Sequence, residues 1–127
     1  MTQHLGLGFD LVDVSRVTRM LDRHGERILR RLLTETEQEY CLAQAVPARH
    51  VAARLAAKEA AYKALSRDEH PGWIGWLEFE VCRGEDGRPS LQFHGRARTV
   101  AERMGVRKAV CSLTHTNTTA GAIVVID

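Results

Sequence analysis

Two carboxylates and one lysine are the residues best spaced for chemistry in this chain. Glu59 and Lys63 stand one helical turn apart in Ala53-Arg54-Leu55-Ala56-Ala57-Lys58-Glu59-Ala60-Ala61-Tyr62-Lys63-Ala64-Leu65. Asp10 follows Gly6-Leu7-Gly8-Phe9 near the start. Carboxylates are hard oxygen donors, and one or two of them with waters and substrate phosphates make the usual seat for Mg²⁺. Lys63 would then be placed to neutralise a phosphate on that ion. Plainer roles are open to the same residues. Asp10 can cap a helix beginning near Val12, and Glu59 can pair with Lys63 at i, i+4. Spacing does not choose between these readings.

Other polar residues carry weaker signals. Arg54 can grip a phosphate bidentately or lie solvated on the helix. Lys58 falls nearer the apolar stripe, where it snorkels or pairs. Ser112-Leu113-Thr114-His115-Thr116 closes a strand. Alternation puts Ser112 and Thr114 on one face and Leu113 and His115 on the other. A histidine there can meet a ligand or belong to the turn. Residues 16–31 hold six arginines (Arg16, Arg19, Arg23, Arg27, Arg30, Arg31) against Asp22 and Glu26, which suggests an acidic partner. Arg16, Met20 and Arg23, with Arg27 beyond them, make an exposed stripe.

The elements that must position these residues follow from pattern. Residues 5–12 read as a strand, with Asp10 at its end and with glycines that let a backbone or ligand come close. Val14, Val17 and Leu21 have helical spacing, and Gly25 stops or kinks that helix. Thr34-Glu35-Thr36-Glu37 is a capping box opening a short helix through Tyr40 and Leu42. Pro47 ends that segment. The long alanine-rich helix spans residues 48–65, with Val51, Leu55, Tyr62 and Leu65 as its apolar stripe. Residues 67–75 form a loop. Strands are predicted over 76–82 and 90–94 around Asp86-Gly87. A helix over 96–104 ends at Gly105, and strands over 109–115 and 120–126 flank the turn 116–119. This order implies an α+β fold, a mainly antiparallel sheet packed on the long helix.

Composition bounds the rest. A chain of 127 residues suits one domain and can bury a core without disulfides or a structural metal. The net charge of +2 is too small to suggest nucleic-acid binding, and no aromatic residues interleave with basic ones. No apolar run is long enough to cross a membrane. The first residues lack the pattern of a secretory leader. Cys41, Cys82 and Cys111 form no CxxC pair, which fits reduced thiols in a cytoplasmic protein. The histidines do not cluster at zinc spacings. The Gly-x-Gly at 6–8 is no dinucleotide fingerprint, and no nucleophile elbow is present.

Three motifs in order resemble the holo-[acyl-carrier-protein] synthases, the small phosphopantetheinyl transferases. They are Gly6-Leu7-Gly8-Phe9-Asp10-Leu11-Val12 followed by Arg16, then Ala53-Arg54-Leu55-Ala56-Ala57-Lys58-Glu59-Ala60 with Lys63, then Ser112-Leu113-Thr114-His115-Thr116. The resemblance spans essentially the whole chain. It implies transfer of the 4′-phosphopantetheine of coenzyme A to a serine of an apo acyl carrier protein, with adenosine 3′,5′-bisphosphate leaving. It implies that Asp10 and Glu59 hold Mg²⁺ and that Lys63 stabilises the breaking phosphoanhydride. Arg54, Ser112, His115 and Thr116 would line the coenzyme A site. Arg16, Met20, Arg23 and Arg27 would dock the acidic carrier, in fatty-acid or polyketide synthesis. Family members of this length are commonly homotrimers with sites between subunits. The chain departs from the pattern at 66–75, where a glycine-rich loop is replaced by a bulkier, charged one. A different class of function also fits the basic segment: a non-catalytic module that binds acidic proteins.

Overall fold

A computed structural model describes residues 5–66 and 70–127. The four residues before it, read for a secretory leader, and residues 67–69 of the expected loop lie outside the described residues. The elements run β1 (Gly6–Asp13), α1 (Val14–His24), α2 (Glu26–Leu32), α3 (Glu35–Leu42) and α4 (Pro47–Leu65). A 3-10 turn (Trp76–Glu78) precedes β2 (Phe79–Arg83), β3 (Pro89–Phe93), α5 (Gly95–Arg103), β4 (Ala109–His115) and β5 (Thr119–Ile126). The five strands form one antiparallel sheet in the order β1-β5-β4-β3-β2. The α+β class expected from the pattern is the one observed.

Helix α4 is the centre of the molecule. Proline stands at its first positions, where the missing N–H costs nothing. Pro47 therefore opens this helix as well as closing the segment before it. The expected single stripe is too narrow, because α4 is buried on nearly all sides, from Ala52 and Ala56 through Ala60 and Ala64. Small side chains let neighbours close in from several directions. Strand β1 comes closest. A Cβ on Gly8 would lie 1.7 Å from the Ala60 carbonyl oxygen, and one on Gly6 would lie 2.8 Å from that of Ala64. Two strand residues span about 6.7 Å and four helical residues about 6 Å. The glycines of β1 therefore step along α4 in register with its alanines.

Several boundaries differ from expectation for physical reasons. Asp10 lies inside β1, which runs on to Asp13, so it caps no helix. Gly25, at φ 53°, stops α1, and a separate helix α2 carries Arg27. Residues 76–78 alternate like a strand but form a turn. The Glu78 carboxylate accepts the Gly75 N–H at 2.6 Å and the Arg96 N–H, which pins the chain in a bend. Leu77 is left exposed, and the alternation starts at Phe79 and Val81. The capping box forms as read: Thr34 Oγ1 accepts the Glu37 N–H, and Glu37 Oε1 accepts the Thr34 N–H. All three cysteines are free. Among the described residues no helix is long and apolar enough to cross a membrane.

Candidate active site

The acid on β1 and the acid on α4 meet. Strand alternation turns Gly6, Gly8, Asp10 and Val12 toward the helix and Leu7, Phe9 and Leu11 away from it. Lys63 reaches back to the strand, donating to Asp10 Oδ1 at 2.9 Å and to the Phe9 carbonyl at 3.1 Å. The lysine is thus engaged by Asp10, which is where the simple Glu59–Lys63 pair fails as a description. The Glu59 carboxyl is pushed up from 4.5 to about 7, by burial first, then by its hydrogen bond to Asp10 and the charge of Asp10. Arg16 and Lys63 pull it the other way. The basic stripe of α1 therefore reaches the acid pair through Arg16.

This pair fits a divalent cation. Two carboxyls can hydrogen-bond only if one holds a proton. With both ionised, Asp10 Oδ2 is buried without a donor. A metal ion would replace the shared proton and satisfy that oxygen. Among the described residues no three or more His, Cys, Asp or Glu side chains gather. The remaining ligands would come from water and substrate.

Beneath the pair lies a contact that pattern alone did not reveal. Lys58 and Glu37 are each 1% exposed. Lys58 Nζ donates to Glu37 Oε1 at 2.7 Å, to the Leu32 carbonyl at 2.8 Å and to the Trp76 carbonyl at 3.0 Å. Glu37 Oε2 accepts the Val81 N–H at 2.9 Å. Burial pushes the Lys58 ammonium down, and Glu37 holds it up. The ion pair ties α2, α3, α4, the 3-10 turn and β2 at one point. The sequence signal was the second duty of Glu37, a capping-box acid that is also free to face inward.

A second group lies elsewhere on α4. Arg54 precedes Glu59 by five residues, a turn of roughly 140° around the helix. It is 2% exposed, its Nε has no partner, and its guanidinium sits 4.2 Å from the centre of the Tyr40 ring. Arg83 stacks on the same ring at 4.8 Å. His50 packs edge-on to Tyr40 and to His115, whose ring is 5.2 Å away. Burial, then the charges of His115, Arg54, Arg83 and Arg49, lower the His50 imidazole. Among the described residues no carboxylate pairs with Arg54, whose Nη1 donates to the His50 carbonyl at 3.4 Å, so this group could receive an anion. Thr116 is in the adjoining turn, its Oγ1 accepting the N–H groups of Thr118 and Thr119. Ser112 does not join the group. It pairs with Ile123 and faces the outer side of the sheet. Arg16, Arg23 and Arg27 are exposed, and Met20 is half-buried on the core.

The family model of the 4′-phosphopantetheinyl transferase superfamily matches residues 6–121. The chain belongs to this family. It is 42% identical over 123 residues to the holo-[acyl-carrier-protein] synthase of Koribacter versatilis, covering 97% of this chain and 98% of that one. It is 43% identical over 126 residues to the synthase of Anaeromyxobacter dehalogenans, covering 97% and 95%. The ACPS–CoA complex of Chronobacterium ammoniagenes superposes with a TM-score of 0.83 at 26% identity, covering 98% of this chain and 97% of that one. The holo-[acyl-carrier-protein] synthase of Neisseria meningitidis gives 0.83 at 26%, covering 96% and 97%. The chain is accordingly a phosphopantetheinyl transferase of the holo-[acyl-carrier-protein] synthase type, and the resemblance carried by the three motifs is borne out.

Proposed function

We propose that this enzyme transfers the 4′-phosphopantetheine of coenzyme A to a serine hydroxyl of an apo acyl carrier protein, with Mg²⁺, releasing adenosine 3′,5′-bisphosphate. The observation that carries the reading is the meeting of Asp10, Glu59 and Lys63 across β1 and α4, with one buried carboxylate oxygen left bare. A non-catalytic module that binds acidic proteins has no use for such a meeting.

Asp10 and Glu59 would hold the Mg²⁺. When bound, that ion would screen the diphosphate charge and orient the phosphorus for attack. Lys63 balances the acid pair in the free chain and stands within reach of a diphosphate brought there. Its ammonium would steady the charge that gathers on the leaving bisphosphate. The serine comes from the carrier, so the enzyme supplies position and charge rather than a nucleophile. Arg54, whose Nε is unpartnered, would take the phosphorylated nucleotide end with His115 and Thr116, and Tyr40, His50 and Arg83 would enlarge that site. Arg16, Met20, Arg23 and Arg27 would receive the acidic carrier.

The two groups open on different faces of α4, which supports a site shared between subunits. Leu7, Phe9 and Leu11 are each more than half exposed, and Val110 and Ile123 continue the same apolar face. Such a face marks a contact surface. We take it as the interface of a homotrimer, which would also bring Ser112 of one subunit toward a neighbour's site. Free thiols throughout fit a cytoplasmic enzyme. We read the whole chain as one transferase domain, serving fatty-acid synthesis.

The test is incubation with coenzyme A, Mg²⁺ and an apo carrier protein, read by mass. The wild type should add one phosphopantetheine, and Glu59→Gln should add none while keeping its fold by circular dichroism. Transfer by Glu59→Gln at the wild-type rate would remove Glu59 from the mechanism.

A further inference from the structure

A cavity of about 290 Å³ opens beside the acid pair, bounded by Glu59, Lys63, Tyr62, Ile74, Trp76 and Phe79. Among the described residues the charged side chains lining it are Glu59, Lys63 and Lys58. The polar tips of Lys58 and Tyr62 are engaged elsewhere. The Lys58 ammonium is spent on Glu37 and two carbonyls. The Tyr62 hydroxyl donates to the Gly72 carbonyl at 2.8 Å and lies 3.2 Å from His70 Nε2. What remains is the aromatic and aliphatic lining of Tyr62, Ile74, Trp76 and Phe79 behind a lysine and an acid. A ligand matching this lining carries an anion at one end and a compact branched hydrocarbon directly after it.

Coenzyme A has such a segment. Its diphosphate ester leads through one methylene to a carbon bearing two methyl groups. We propose that the cavity reads this dimethyl branch, and that Tyr62 is the positioning residue that shapes the cavity. The inference rests on the transferase reading above. The outer wall is the segment at 70–76, which has no regular structure before Trp76. It is held by a few tethers: Tyr62 to Gly72, Arg96 Nη2 to the Pro71 carbonyl at 2.9 Å, Glu78 to Gly75, and Lys58 to Trp76. Tyr62 both lines the cavity with its ring and ties this wall to α4 with its hydroxyl. This is the segment where the chain departs from the glycine-rich pattern, so the wall belongs to this sequence.

The test compares coenzyme A with an analogue lacking the two methyl groups. The assays use full-length protein with Mg²⁺ and an apo carrier. The wild type should prefer coenzyme A by about tenfold in kcat/KM, the ratio expected from burying two methyl groups. Tyr62→Phe should raise KM for coenzyme A and shrink that preference to about threefold or less, since the freed wall no longer grips the branch. Its kcat and its KM for the carrier should not change. Ile74→Ala should shrink the preference without touching the tether, and carries the test alone if Tyr62→Phe does not fold. Equal discrimination in the wild type and both variants would overturn the inference. So would a rise in carrier KM in place of coenzyme A KM, since the cavity would then receive the carrier. Absence of any transfer by the wild type would instead overturn the transferase reading itself.

Discussion

Replacing Gly8 with alanine sets a methyl group against the backbone of the alanine helix. The new Cβ would lie 1.7 Å from the Ala60 carbonyl oxygen and 2.6 Å from its carbon. Ordinary contact begins near 3.4 Å, so β1 and α4 must part by about 1.7 Å. The obstacle is backbone, so no rotamer change relieves it. Overpacking of this kind costs about 1–3 kcal/mol. The functional cost should be larger than the stability cost suggests. Asp10 is two residues along the same strand and faces the same side, so it moves away from Glu59 with the glycine. A misplacement of about 1 Å at a reacting centre can lower a rate on the order of 100-fold. Gly8→Ala should therefore retain a cooperative urea transition, lowered by about 1–3 kcal/mol, while transfer to the apo carrier falls on the order of 100-fold. Raising Mg²⁺ should restore part of the rate if the lost distance weakens its binding. A variant within twofold of the wild-type rate would show that the strand's approach to the helix does not set the acid pair.

Three other perturbations follow from the same geometry. Lys58→Met leaves the buried Glu37 carboxyl without its partner, so urea denaturation should register a loss of about 3–5 kcal/mol. Adding Glu37→Gln should recover part of it, and a double variant no more stable than the single one would refute the pair. The metal-free enzyme should lose thermal stability as pH rises from about 4.5 to about 7, because the folded state holds the Glu59 proton over that interval and the unfolded state does not. Mg²⁺ or Glu59→Gln should flatten that slope, and a metal-free melting temperature independent of pH across the interval would contradict it. Reversing Arg16 and Arg23 to Glu should raise KM for the acidic carrier, with a smaller effect on KM for coenzyme A, and equal effects would argue against docking through α1.

Local structure was legible wherever the interaction is local. The Thr34–Glu37 capping box closes within three residues, and β4 was read at its observed bounds. The acid pair was legible only through the family resemblance. Asp10 and Glu59 are 49 positions apart, and an i, i+4 pairing of Glu59 with Lys63 accounts for the spacing equally well. What decides is the fit of Gly6 and Gly8 against Ala64 and Ala60, a property of two elements in contact. The Glu37–Lys58 pair was hidden for a related reason. Each residue sits on a helix where solvent exposure is the ordinary expectation, and only the assembled core removes water from both. The turn at Trp76–Glu78 was misread because its alternation is genuine, while the bend depends on the Glu78 carboxylate finding donors at Gly75 and at Arg96, 18 residues on.

The same strand explains why one chain looks incomplete. In β1 the period of two sends glycine, glycine and aspartate inward, and leucine, phenylalanine and leucine outward. The inward set needs close approach to α4 to bring the carboxylates together. The outward set leaves three large apolar side chains in water, and Val110 and Ile123 widen the patch. A register slip of one residue would bury the leucines, but it would carry Asp10 to the far side of the sheet. The pattern thus ties an exposed apolar face to a working acid pair. On the other side of the helix Arg54 is a buried cation whose Nε has no partner. On the proposed trimer reading, a second copy packed on the outer face would cover the leucines and carry Ser112 with it, so one arrangement of subunits would answer both the exposed apolar surface and the buried guanidinium.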